Sequence, residues 1–264
     1  MKICSLASGS SGNCLVAETK ESKVLVDGGL SGKKIADKLK EAQIDIKEID
    51  AILVTHEHCD HIQGVGVLSR KYDLPIWANE PTWQAMEKAL GKLQEKNKCI
   101  LEEEKILQIG DLQVEPFSIS HDAVKPLGYC LYEKETKVSL LTDTGHIDSK
   151  LEKSLAESDL IVLESNHDVE MLKAGPYPYH LKRRIMGEKG HLSNEQSGEA
   201  LSKVIGGRTK QVLLAHLSRE NNFPDLAHLT VKNILEKQGI KIHKDLELEL
   251  TYQDHLSKIL AVGE

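Results

Sequence analysis

Short apolar runs recur along this chain, and most of them stop abruptly at a polar or glycine-rich turn, as buried strands do. Residues 2–7 and 14–17 read as two strands around Ser8-Gly9-Ser10-Ser11-Gly12-Asn13, and residues 23–29 as a third closing on Asp27-Gly28-Gly29. Ser31 is placed to cap a helix whose buried face carries Ile35, Ala36 and Leu39. That helix stops before Ile49-Asp50, and the apolar run Ala51-Ile52-Leu53-Val54 then ends at Thr55. Residues 65–70 read as a short helix and 74–78 as a strand, and Pro81 suits the first turn of a helix reaching about Leu90. The charge run at 102–105 reads as a solvated loop. Strands follow at 112–120, 127–133 and 137–142, the last two as a hairpin, and 159–164 is a buried strand. The segment 169–190 is mixed, with Lys182-Arg183-Arg184 as its compact basic cluster, either a phosphate contact or a solvated helix face. Ser193 and Gln196 have capping-box spacing, 211–215 is a strand, Pro224 opens a helix to about Gln238, and 246–252 alternates like a half-exposed edge strand. Strands precede helices in each half, which predicts two β-sheets back to back with helices outside. No identity repeat, low-complexity tract or Pro/Ser linker divides the chain, so a single domain over 1–264 is expected.

Composition narrows this reading modestly. Hydrophobic residues make up 40%, enough for a sizeable core. A formal net charge of −7 gives no advance support for a nucleic-acid partner, although a basic patch or bound metals reverse the field locally. Five cysteines, odd in number and without a CxxC pair, fit a reducing cytoplasm with free thiols. No apolar run is long enough for a signal peptide or a membrane span, so a cytoplasmic protein without membrane contact is expected.

The chemistry gathers in Thr55-His56-Glu57-His58-Cys59-Asp60-His61. His56 and His58, two apart at a strand end, can point to the same side, while Asp60 and His61 follow the turn and can face a second position. Imidazole and carboxylate together suit zinc, manganese or iron. Two such ions about 3.5–4 Å apart are a common device for hydrolysing phosphate esters. Other strand ends deliver His121, Asp143 and His216. Cys59, between two of the donors, is a further conceivable ligand. Asp27 either braces the motif loop or caps a turn, and the Ser8-to-Asn13 loop is either a plain turn or an anion cup.

His-x-His-x-Asp-His resembles the signature of the metallo-β-lactamase superfamily. That resemblance implies an α/β (α+β) four-layer αβ/βα sandwich, two mixed β-sheets with helices on both outer faces. It also implies a ligand order: His56, His58 and His121 on one ion, Asp60, His61 and His216 on the other, and Asp143 touching both. Gly190-His191-Leu192-Ser193, with His216 in Leu-Ala-His-Leu-Ser, resembles the pattern of the superfamily's tRNA 3′-processing nucleases. It implies that His191 contacts the scissile phosphate and acts as general acid, with Asp60 orienting the attacking water; a histidine merely starting a helix is the plainer reading. The helix start at Ser193 favours phosphate by itself.

More of the chain is similar to a narrower group, the YycJ/WalJ family. The similar stretches are Ala7 to Asn13, the His motif, Glu164-Ser165-Asn166-His167-Asp168, Gly190 to Ser193, and Leu217-Ser218-Arg219-Glu220-Asn221-Asn222. That resemblance implies 5′→3′ exonuclease action on DNA and a role in mismatch repair. It brings in Asn166 and His167 as substrate-side residues, beside Ser8, Ser10 and Asn13 of the loop that can cup an anion and Ser193 at the helix start. Two rivals stand beside it. A hydrolase of the same fold acting on a small or cyclic phosphodiester suits so short a chain, and a metal-stabilised regulatory protein without turnover would ordinarily have lost ligands.

Overall fold

The computed structural model describes residues 1–103 and 105–263; Glu104, within the charge run expected as a solvated loop, lies outside the described residues. Among the described residues, fourteen strands fall into two mixed seven-stranded sheets. The chain divides into two compact units, one of residues 1–118, 123–135 and 252 onward, the other of 119–122 and 136–251.

The first unit begins with β1 (Lys2–Ala7), β2 (Cys14–Glu18) and β3 (Lys23–Val26), which pair antiparallel in sequence. Ser31 caps α1 (Gly32–Glu41), accepting from Lys34 N–H, and Ile35 and Leu39 are buried as their spacing requires. β4 (Ala51–Leu53) then lies parallel to β3. A single turn, α2 (Cys59–Ile62), and α3 (Val65–Tyr72) lead to β5 (Ile76–Ala78), parallel to β4. Asn79 caps α4 (Glu80–Leu90), with Pro81 in the first turn, and β6 (Lys98–Ile100) adds a further parallel strand. β7 (Leu107–Ile109), β8 (Leu112–Ser118) and β9 (Leu127–Glu133) form an antiparallel set. The switch from antiparallel to parallel pairing at β3 and β4 fits the sequence, because α1 supplies the crossover that a parallel neighbour needs. Leu25, Ile52 and Ile76 from the parallel strands meet Ile35, Leu39, Leu68 and Met86 from the helices in one buried cluster.

The second unit holds β10 (Thr136–Leu141), β11 (Leu160–Glu164), β12 (Gln211–Ala215) and β13 (Glu247–Leu250), parallel throughout. Its helices are α5 (Ser149–Leu155), α6 (Val169–Ala174), α7 (Tyr179–Ile185), α8 (Asn194–Val204) and α9 (Pro224–Lys237). Parallel strands are covered on both faces, so β11 is buried at every residue, as Leu-Ile-Val-Leu-Glu foretells. Ser193 and Gln196 form the expected capping box at α8. The chain then returns to the first unit in β14 (Leu260–Ala261), antiparallel to β1.

Candidate active site

In the first unit, β4 ends at Leu53 and the motif loop follows at the sheet's edge. Asp27, the first residue beyond β3, has φ +62° and carries the carboxylate that organises this loop. Its Oδ1 accepts from Thr55 N–H at 2.8 Å, and its Oδ2 accepts from Thr55 Oγ1 at 2.9 Å and from His61 Nδ1 at 2.7 Å. Thr55 Oγ1 lies in turn 2.9 Å from His56 Nδ1. With Nδ1 of His56 and His61 occupied in this way, each ring turns Nε2 away from the hub, and the tautomer follows from the partner. His56 Nε2 faces His58 Nδ1 at 3.1 Å. Asn13 Nδ2 approaches His61 Nε2 at 3.0 Å and Asp60 Oδ2 at 3.5 Å. Asp27 therefore braces the motif loop instead of capping a turn.

The Ser8-to-Asn13 loop is locked onto this motif. Ser8 N–H donates to Tyr252 O at 2.9 Å, Gly9 N–H to Asn13 Oδ1 at 2.8 Å, Gly12 N–H to Gly9 O at 3.0 Å and Asn13 N–H to Asp60 O at 2.8 Å. Four of its backbone donors are thus committed within the protein, and an anion cup there would rest on the exposed Ser10 and Ser11. Gly29 is required by close approach: a Cβ there would lie 1.6 Å from Asp60 O. Cys59 is exposed, and its thiol is free.

In the second unit, Glu164 at the end of β11 is the hub, with no exposed surface. Its Oε1 accepts from His191 Nδ1 and from His216 Nδ1, both at 2.7 Å. Its Oε2 accepts from Thr144 N–H at 3.0 Å and Leu192 N–H at 3.2 Å. Burial alone would raise the pKa of this carboxyl, but the two imidazoles outweigh burial and hold it well below the usual range. Asp143 Oδ1 lies 3.3 Å from His216 Nδ1, 3.8 Å from His191 Nδ1 and 3.9 Å from His121 Nε2. His121 places Nδ1 3.2 Å from Gly190 O, and burial lowers its pKa. Asp143 and His216 follow their strands in the left-handed region, at φ +57° and +56°. That conformation costs such residues on the order of 1 kcal/mol and is kept where a side chain must be turned over a sheet edge.

The loops of this unit are tied by a buried amide network. Asn222 Nδ2 donates to the carbonyls of Ser165 (2.9 Å) and Asn166 (3.0 Å) and to Asn194 Oδ1 (2.9 Å). Asn166 Nδ2 donates to His216 O at 2.9 Å, so this side chain braces the turn that presents His216. His167 is 1% exposed, pairs through its backbone with Ser193, and has its pKa pushed down to about 4 by burial. The Ser193 hydroxyl serves the capping box. Asn166, His167 and Ser193 are all buried, and their contacts are with the protein's own loops.

The donor chemistry can be tested within each unit. In the second, Asp143, Glu164, His191 and His216 offer ligand atoms all within 4.8 Å of one another. In the first, His56 Nε2 meets His58 Nδ1 at 3.1 Å, and Asp60 Oδ2 lies 3.7 Å from His61 Nε2. Buried imidazoles with fixed tautomers and acidic partners fit a divalent cation of the zinc, manganese or iron kind. Glu164 and Thr55 are the site residues that sequence reasoning missed. The signal for Glu164 was a carboxylate closing an otherwise apolar buried strand.

A profile of the β-lactamase superfamily domain matches residues 22–217. The structure superposes on the metallo-β-lactamase fold protein YhfI from Bacillus subtilis with a TM-score of 0.72, at 15% identity, over 97% of this chain and 98% of that one. The fold is therefore that of a metallo-β-lactamase protein, and the chain is a hydrolase of that superfamily. It is 45% identical to the exodeoxyribonuclease YycJ of Bacillus anthracis over 246 residues, 93% of each chain. It is 47% identical to the exodeoxyribonuclease WalJ of Streptococcus pneumoniae over 251 residues, 94% of this chain and 93% of that one. Within the superfamily, the chain belongs to the YycJ/WalJ family.

Proposed function

We propose that this chain is an exodeoxyribonuclease that hydrolyses DNA phosphodiesters with two divalent ions, its two units acting as one catalytic domain over residues 1–264. The observation that carries the reading is near-full-length similarity to two exodeoxyribonucleases. In the ligand order that the resemblance implies, His56, His58 and His121 would hold one ion and Asp60, His61 and His216 the other, with Asp143 available to either. Zinc, manganese or iron meets the donor set. When bound, the ions make hydroxide available at neutral pH and stabilise charge developing on the phosphoryl oxygens.

The chain's own residues do the rest. Asp27 and Thr55 keep Nε2 of His56 and His61 unprotonated for binding, and Glu164 does the same for His216. Glu164 also anchors His191 through Nδ1, so that Nε2 points away from the carboxylate; as an imidazolium, its charge balanced by Glu164, the ring can pass the Nε2 proton to the leaving oxygen. Asp60 orients the attacking water. His191 is the partly exposed member of its cluster, which suits a group that reaches substrate. Ser8, Ser10, Asn13, Asn166, His167 and Ser193 shape the substrate side, the buried ones by holding loops. No described helix is long and apolar enough to cross a membrane. Work on DNA in the cytoplasm, in mismatch repair, is part of the proposal and rests on the family resemblance.

The test compares nucleotide release from linear DNA and from covalently closed circular DNA, using metal-stripped protein refilled with manganese or zinc. Metal-dependent release from the linear form alone supports the proposal. Hydrolysis confined to small or cyclic phosphodiesters would replace it with the first rival reading.

A further inference from the structure

Residues 171–187 carry four cations (Lys173, Lys182, Arg183 and Arg184) and no carboxylate, in a chain of net charge −7. Three of these cations have explicit tasks or partners in the fold. Lys182 Nζ donates to the carbonyls of Lys173 at 2.6 Å and Gly175 at 2.7 Å, which fastens the end of α6. Arg184 pairs with Asp122, beside His121. Lys173 pairs with Glu170 at 2.9 Å. Arg183 is different: it is exposed, and its guanidinium lies over the ring of Tyr179 at 6.0 Å. Tyr179 itself is 75% exposed, and α7 buries none of its residues. A helix with no buried face and a bare aromatic ring contributes little to the core.

The helix is nevertheless coupled to the candidate site. His191 N–H donates to Ile185 O, the last residue of α7, at 2.9 Å. Asp122 N–H donates to Lys189 O at 3.1 Å, and Ser120 Oγ to Glu188 O at 2.8 Å. A Cβ at Gly190 would lie 2.1 Å from Ile185 O, so the backbone there is held close. At 1.5 Å per residue, Tyr179 stands about 9 Å along the axis from the residue that anchors His191. That is the scale of one or two nucleotides of a single strand.

We infer that Tyr179 and Arg183 form a stacking platform for single-stranded DNA next to the scissile phosphate, the ring receiving a base and the guanidinium the adjoining phosphate. Aromatic rings accept any base, so the platform serves a nuclease that must process every sequence. It deepens the nuclease reading and rests on it. Stacking is worth about 1–3 kcal/mol per base, equivalent to roughly 5- to 150-fold in affinity.

The test measures KM for linear single-stranded DNA with the metal-loaded wild type and with Tyr179→Ala, Tyr179→Phe and Arg183→Ala. A second substrate carries abasic residues beside the scissile phosphate. Tyr179→Ala raises KM for intact DNA within that range and changes it little for the abasic strand, while Tyr179→Phe behaves as wild type. Arg183→Ala lowers the slope of log affinity against log salt by about one. Equal KM for wild type and Tyr179→Ala on intact DNA overturns the platform, as does an equal rise on both substrates. A wild type inert on every DNA overturns the nuclease reading and the platform with it, and is told apart because the failure precedes any substitution.

Discussion

Replacing Glu164 by glutamine keeps its size and removes one acceptor oxygen and the charge. The native carboxylate is fully buried and accepts four hydrogen bonds, two from imidazoles and two from backbone N–H groups. An amide has one oxygen, so its NH2 must face one of those donor pairs. Facing the backbone pair leaves Thr144 and Leu192 N–H without an acceptor in a dry site, at about 1–3 kcal/mol each. Facing the imidazoles is cheaper, because His191 and His216 can change tautomer and accept through Nδ1. That change puts the proton on Nε2 of His216, the nitrogen needed for the ion, and leaves His191 without the negative partner that balances its imidazolium form. Expected together are a stability loss of about 2–4 kcal/mol and a metal affinity loss of about 10- to 100-fold, the usual cost of losing an outer partner of a metal ligand. Urea unfolding of the metal-stripped proteins measures the first, and competition with a chromogenic chelator the second. A Glu164→Gln variant with wild-type metal affinity would refute the claim that this carboxylate sets the tautomers.

Two further perturbations test the supports around the centre. His167 is held neutral by burial with a folded pKa of about 4, against 6.5 when unfolded. Above pH 6.5 neither state is protonated; between 6.5 and 4 the unfolded chain gains a proton that the folded one refuses, so stability falls as pH falls. At pH 5 this amounts to about 2 kcal/mol, and the difference in urea stability between pH 7.5 and pH 5 should be smaller by about that much in His167→Asn. Equal pH slopes would show that His167 titrates freely. Gly29→Ala drives a methyl group into the Asp60 carbonyl, where only backbone can yield, so a loss of about 3 kcal/mol or more is expected, with metal binding impaired. Unchanged melting temperature and metal content would contradict the packing.

The strands that carry donors were legible because each combines an apolar run with an abrupt polar end, as in Ala51 to His61 and Gln211 to His216. The capping residues Ser31 and Ser193 act over three residues and are equally local. Pieces joined by long-range pairing were not legible. β14 is two residues long and exists because it pairs with β1 at the other end of the chain, and β6 and β7 have three residues each, too few for a period. α7 escaped because it has no buried face to print a pattern. The expected strand 112–120 ends at Ser118, before His121. Glu164 looked like the polar end of a strand, since its partners stand 27 and 52 residues further on. The side chain of Asn166 holds His216's carbonyl, fifty residues further on, which distance along the chain conceals.

The most direct test of the central claim is degradation of linear duplex DNA labelled at the 5′ end in one set and the 3′ end in another. It uses metal-stripped protein refilled with manganese or zinc, beside Asp60→Ala and His191→Ala. Metal-dependent, stepwise loss from 5′ ends is expected, abolished by Asp60→Ala and slowed by His191→Ala by about 100-fold or more, the usual share of a general acid. Protein that holds two ions yet leaves both labels intact would contradict it.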